Sequence, residues 1–204
     1  IFRKLMLSQS LRGYSLILAS ASPRRAQFLR DLNLPFEVRI KQTDEHYPKD
    51  LKGAEIPLYI AQEKAHAFSG EITEKEILIT ADTLIWFEGK AIGKPKDYAD
   101  AMATLKAFSG KTHEVITAVC LKGKEQQRTF YESTQVTFSA LTPEMIDYYL
   151  THYQPFDKAG SYGIQEWIGA VGITQIKGSY NNVVGFPTQR FWKELTEMIA
   201  SQAI

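Results

Sequence analysis

The run from Ile77 to Phe87 constrains this chain most: it is strongly apolar and β-branched, yet Ala81-Asp82-Thr83 interrupts it. Such a run reads as a strand packed on a pleated surface. A carboxylate inside it is costly to bury without a cation or hydrogen-bond donors. Asp82 is then either a cap where a strand ends in a turn, or a group kept for chemistry. As the latter it can hold Mg²⁺ or Mn²⁺, or orient a water for attack on phosphorus. Bulky apolar neighbours on both sides favour the chemical reading.

Around this run, strands and helices alternate. Leu16 to Ser20 reads as a short strand, and Phe36 to Lys41 as a second. Between them a helix spans about Pro23 to Leu32, with Ser22 as N-cap and Pro23 at its first position. Helices are expected over Pro57 to Phe68 and Tyr98 to Phe108, each followed by a glycine stop. Val115 to Lys122 and Arg128 to Phe138 alternate about Gly123-Lys124 and form a long antiparallel hairpin. Thr142-Pro143 caps a helix reaching Tyr149, short strands fill the glycine-rich region from Gly160 to Gly185, and Gln189 to Ala200 is a terminal helix. The pattern argues for a mixed-sheet α/β or α+β domain.

With 204 residues, the chain is expected to form one compact domain over 1–204, with residues 1–15 as an N-terminal extension. It opens on Ile1, which leaves Met6 as a candidate natural start. Its 24 basic and 23 acidic side chains give a formal charge of +1, so no bulk field points to nucleic acid or a membrane surface. Phosphate binding must come from locally placed cations. Cys120 is the only cysteine and reads as a small buried hydrophobe, so no intrachain disulfide forms and a cytoplasmic location is expected. No run has membrane-spanning length, and the first thirteen residues show no secretory pattern.

Ser20-Ala21-Ser22-Pro23-Arg24-Arg25 lies between a strand and a helix. Free N–H groups, the positive helix end, two hydroxyls and two guanidinia make a natural cradle for polyphosphate. A plain Ser-Pro cap with two solvated arginines is the alternative. Glu45, Lys64 and Lys94, taken singly, read as surface charges. Glycine density in 158–165 and 178–185 implies close backbone approach to a ligand or another loop. Ser109-Gly110-Lys111-Thr112 ends like a P-loop, but Leu105 replaces its first glycine and the helix-to-strand order is reversed. The four histidines lack metal-ligand spacing.

These segments together are similar to one family. Ser-Ala-Ser-Pro-Arg-Arg at 20–25, Glu-Lys-Ala at 63–65, Ala-Asp-Thr at 81–83, Gly-Lys-Pro at 93–95 and Ser-Gly-Lys-Thr-His at 109–113 occur in order. Lys-Ala-Gly-Ser-Tyr-Gly-Ile-Gln at 158–165 and Gly-Ser-Tyr-Asn-Asn-Val-Val-Gly at 178–185 follow. The chain resembles the Maf (septum formation inhibitor) family of nucleotide pyrophosphatases, from Leu16 to the final helix.

The resemblance implies an elongated, twisted mixed sheet flanked by helices, with two lobes around a central cleft, related to the inosine-triphosphate pyrophosphatase fold. It implies Asp82 as catalytic proton acceptor. It ties Arg24, Thr83 and Gln165 to substrate choice, and Ser22, Arg25, Lys64 and Lys94 to phosphate binding, beside Ser20 of the cradle read from the residues themselves. Asp82 and Glu45 would hold a divalent cation, Mg²⁺ or Mn²⁺. The Tyr-Gly-Ile-Gln form resembles the branch that hydrolyses dTTP and UTP to the monophosphate and pyrophosphate. The alternatives are hydrolysis of 7-methyl-GTP or inosine-type nucleotides, and a non-catalytic nucleotide-binding regulator of cell division. A nucleoside triphosphate partner is expected, without nucleic acid or membrane, and a homodimer by resemblance.

Overall fold

The long apolar run is uninterrupted in space: Glu76–Phe87 forms one strand, β3, that carries Asp82 without a break. It belongs to a computed structural model that describes Leu11 and residues 13–201. Before β3 come β1 (Ser15–Leu18), α1 (Pro23–Asp31), β2 (Phe36–Val38) and α2 (Glu55–His66). After it come β4 (Lys90–Ile92), α3 (Tyr98–Phe108), β5 (Thr112–Lys122), β6 (Gln127–Phe138) and α4 (Pro143–Tyr153). Two 3₁₀ turns, Pro155–Asp157 and Ala159–Ser161, lead to α5 (Trp167–Gly172), β7 (Ile173–Lys177), α6 (Tyr180–Val184) and α7 (Thr188–Ser201).

The seven-stranded sheet has the order β2-β1-β3-β5-β6-β7, with β4 paired to β3 alone. Strands β2, β1 and β3 are parallel, and every other pairing is antiparallel. This is the mixed sheet flanked by helices that the sequence implies. The interruption lies in the neighbours of β3. On one edge β5 pairs with it from Leu78 to Trp86. On the other, β1 pairs over Glu76 to Ile79 and β4 over Ile85 to Phe87. Among the described residues, no strand covers Thr80 to Leu84 on that edge. A gap opens in the middle of the sheet.

Helices close the two faces of β3 differently because its side chains alternate. On one face, Leu78 packs with Ala61 and Ala65 of α2, and Leu84 packs with Ile56 and Ile60. On the other, two cores meet the two ends of the strand. Ile77, Ile79 and Ala81 join Leu29, Phe191, Leu195 and Met198 of α1 and α7. Ile85 and Phe87 join Leu105, Phe108, Ile146 and Leu150 of α3 and α4. Each fully buried Leu, Ile or Phe contributes about 1.5–3 kcal/mol of transfer free energy. The gap lies between these two cores.

Several expectations need correction. Strands β1 and β2 end at Leu18 and Val38, so Ser20 and residues 39–41 lie in loops. The glycine-rich region holds one strand, β7, while the rest forms the second 3₁₀ turn, two short helices and loops. Its Ser and Asn side chains favour local caps over ladders: Ser179 caps α6 by accepting from the Asn182 N–H. Ser22 caps α1 and Thr142 caps α4 as expected, and Cys120 is fully buried. Ser109 to Thr112 joins α3 to β5, the wrong order for a P-loop. No described helix is long and apolar enough to cross a membrane. The extension falls largely outside the described residues.

Candidate active site

Asp82 and Thr83 are consecutive on β3, so they leave opposite faces of the sheet at the gap. On the α2 face, the Lys64 ammonium lies 2.9 Å from Asp82 Oδ1 and 2.8 Å from Glu45 Oε1. Lys64 reaches it from the last turn of α2, and Glu45 from the long loop after β2. Asp82 and Lys64 each keep 15% of their side-chain surface exposed, so the pair is accessible from the cleft. Burial raises the Glu45 carboxyl, but the Lys64 hydrogen bond and charge, with Lys94 and Arg25, outweigh it and hold Glu45 below the usual glutamate range.

On the other face, Arg25 projects from the first turn of α1 and bridges the gap. Its guanidinium donates to Ala81 O (2.9 Å), Thr83 Oγ1 (3.1 Å), Gly185 O (3.1 Å) and Ser20 Oγ (3.3 Å). The bond to Ala81 supplies a donor on the edge that lacks a strand. Thr117 Oγ1 donates to Asn182 O at 3.0 Å, so its 3.0 Å contact with Thr83 Oγ1 makes Thr83 the donor. Burial lowers the Arg25 pKa while Asp82 opposes that shift, and the group stays charged. Most of its donors are committed to the protein, so Arg25 braces the site before it meets any ligand.

The cleft beside the gap has a volume of about 730 Å³ and is lined by all ten residues singled out from sequence. Besides Asp82, Thr83, Arg25, Lys64 and Glu45, these are Ser20, Ser22, Arg24, Lys94 and Gln165. Ser20 accepts from the Ser22 N–H at 3.2 Å and Ser22 from the Arg25 N–H at 3.5 Å, which orders the loop entering α1. Gln165 presents an exposed side-chain amide. Arg24 lies 3.6 Å from Asp157.

A model of the Maf-like protein family matches residues 15–198. The chain belongs to the Maf family. A dTTP/UTP pyrophosphatase of Flavobacterium psychrophilum is 54% identical over 92% of this chain and 96% of its own. One from Bacteroides fragilis is 50% identical over 93% and 98% respectively. Among solved structures, a HAM1 protein from Coxiella burnetii is 12% identical with a TM-score of 0.45, covering 92% of this chain and 99% of its own.

In this Maf protein, structure also brings in residues that the sequence reading did not single out. Thr117 and Asn182 extend the Thr83 brace, and the Asn182 amide donates to Val115 O at 2.9 Å and Thr134 Oγ1 at 3.0 Å. Asp157 and Glu166 organise the cleft wall around Lys158. Asn182 sits in a quoted motif, which was the available signal. A lone Glu before a short helix carried none. The carboxylates of Asp82 and Glu45 converge on a single cation, a donor set that suits Mg²⁺ or Mn²⁺ completed by substrate phosphates. No cluster of three or more His, Cys, Asp or Glu side chains that could hold a metal ion occurs among the described residues.

Proposed function

We propose that this Maf protein hydrolyses dTTP and UTP to the nucleoside monophosphate and pyrophosphate, by attack of water on the α-phosphorus. The observation that carries this reading is the Asp82–Lys64–Glu45 cluster at the sheet gap, facing a cleft with Arg24 and Lys94. The activity named for relatives at about half identity over nearly the whole chain supports the same reaction.

The triphosphate would lie along the cleft with Arg24, Lys64 and Lys94 opposing its charge, and with the α1 N-terminus, Ser20 and Ser22 beside it. Asp82 accepts the proton of the attacking water as its oxygen bonds to the α-phosphorus. The bond from that phosphorus to the bridging oxygen breaks, and pyrophosphate leaves with the electron pair. Positioning and electrostatics do most of the work, since the transferred group needs no covalent help from the protein. A divalent ion on Asp82, Glu45 and phosphate oxygens would supply charge neutralisation and a lowered pKa for the water. Arg25 keeps Thr83 and the strand edge in place.

Uracil and thymine each present two carbonyls flanking one N–H. The Gln165 amide can donate to a carbonyl and accept from that N–H, with Arg24 as a further donor, while the Thr83 hydroxyl proton is committed to Thr117 and leaves only a lone pair for contact. A mismatched base leaves such groups unpaired, which is how polar sites discriminate. A nucleotide panel with pyrophosphate detection tests this. dTTP and UTP should exceed CTP, ATP, GTP and 7-methyl-GTP, with activity lost in chelator and restored by Mg²⁺ or Mn²⁺. Gln165→Ala should flatten the preference. Equal loss on every nucleotide would refute base readout by Gln165, and turnover in rigorous chelation would refute the metal.

A further inference from the structure

We propose that Glu166 is a positioning residue for nucleotide selection, fixing the segment that carries Gln165 and, through Lys158 and Asp157, the placement of Arg24. This rests on the reading of Gln165 and Arg24 as base-selecting groups. Glu166 does not line the cleft, whereas Gly163, Ile164 and Gln165 do. It supports that wall from behind. One carboxylate oxygen accepts from the Tyr149 hydroxyl, and that hydroxyl accepts from the Gly163 N–H at 2.9 Å. Tyr149 is fully buried on α4, and burial first, then Glu166, pushes its phenol well above the ordinary range. It therefore remains a donor at every working pH.

The other oxygen continues the chain towards Arg24. Glu166 Oε1 lies 3.1 Å from Lys158 Nζ, which lies 2.7 Å from Asp157 Oδ1, and Asp157 Oδ2 lies 3.6 Å from Arg24. Signs alternate along the line. Two groups that face the base from remote parts of the sequence are thus joined by one ionic chain. Steric contacts leave the wall little freedom. A Cβ on Gly163 would come within 2.7 Å of the Glu166 carboxyl carbon, and one on Gly169 within 1.9 Å of Ile164 O. Glycine at both positions lets the carboxylate and α5 press directly on the backbone flanking Gln165.

Charge separates positioning from simple anchoring. Tyr149 needs only an acceptor, which a glutamine supplies, whereas Lys158 and the link to Arg24 need the carboxylate's charge. The test is Glu166→Gln, with kcat and KM measured for dTTP, UTP and CTP, beside Gln165→Ala and the double variant. The melting temperature should stay within a few degrees, while the preference for dTTP and UTP over CTP falls about tenfold, as expected when polar readout loses its alignment. The double variant should flatten preference further than Gln165→Ala alone, since Glu166→Gln loosens Arg24 while Gln165→Ala removes the other base contact. Tyr149→Phe, which frees the Gly163 N–H and loosens the Gln165 segment instead, should also flatten the preference but add nothing to Gln165→Ala, which keeps the test available if Glu166→Gln does not fold. An unchanged preference, or equal losses on all three nucleotides, would overturn the positioning role while base selection stands in the wild type. A wild type without preference would instead overturn base selection, and this proposal with it.

Discussion

Two neighbouring residues on β3 show how differently the two sides of the sheet are built. On the α2 side, Asp82 meets Lys64, which also holds Glu45, and the group stays open to the cleft. On the opposite side, Thr83 sits in a relay of hydrogen bonds from Arg25 through Thr117 to Asn182, whose inner members Thr117 and Asn182 are fully buried. The first side concentrates charge that a substrate can engage. The second commits its polar groups to one another, so it holds the strand edge in place. Partly exposed ion pairs contribute little to stability, whereas breaking buried hydrogen bonds leaves unpaired groups at real cost. Mutations on the two sides should therefore separate activity from stability.

The largest effect is expected from Asp82→Asn, which keeps shape and removes charge. Turnover should fall at least about a hundredfold, from loss of proton acceptance or metal binding, with a melting temperature within a few degrees of wild type. Near-normal turnover would move the proton acceptor elsewhere, with Glu45 the next candidate. The opposite behaviour is expected from Asn182→Ala, on the Thr83 side. It removes a buried donor to both Val115 O and Thr134 Oγ1, so denaturant unfolding should show a loss of about 1–3 kcal/mol, with turnover reduced less than tenfold. A larger loss of activity than of stability would mean that the brace takes part in chemistry.

Much of this division was legible in the sequence, though the reason for it was not. Asp82 stood out because a carboxylate in an apolar run demands a partner. The polar break at Ala81-Asp82-Thr83 does not interrupt the strand: β3 is continuous, and the gap lies between β1 and β4 on its edge. Strand pairing over such distances leaves no local pattern to read. Arg25 was identified as a cleft residue, but its four bonds to the protein depend on Gly185 and Ala81, which only tertiary contact brings near. The hairpin and the caps at Ser22 and Thr142 were readable because their signals are local. The glycine-rich region was misread as strands because its Ser and Asn side chains take up local hydrogen bonds instead.

A smaller effect should come from His113, on β5 in the core shared by α3 and α4. It is stacked against Phe108, bonded to Tyr162, and pushed down by burial to about 4. The unfolded chain binds a proton below its ordinary value near 6.5 while the folded chain does not, so stability falls as pH drops from about 6.5 towards 4. Between pH 7.5 and 5.5 this amounts to about 1 kcal/mol. Urea midpoints of wild type and His113→Phe at both values check it. The wild type should lose that much more than the variant, and equal losses would place the acid sensitivity elsewhere.

The bond broken is tested most directly by hydrolysing dTTP in ¹⁸O-water and following the products by phosphorus NMR. Attack on the α-phosphorus at the Asp82 cluster predicts dTMP and pyrophosphate, with the label in dTMP alone. Label in the pyrophosphate, or release of dTDP with orthophosphate, would contradict it.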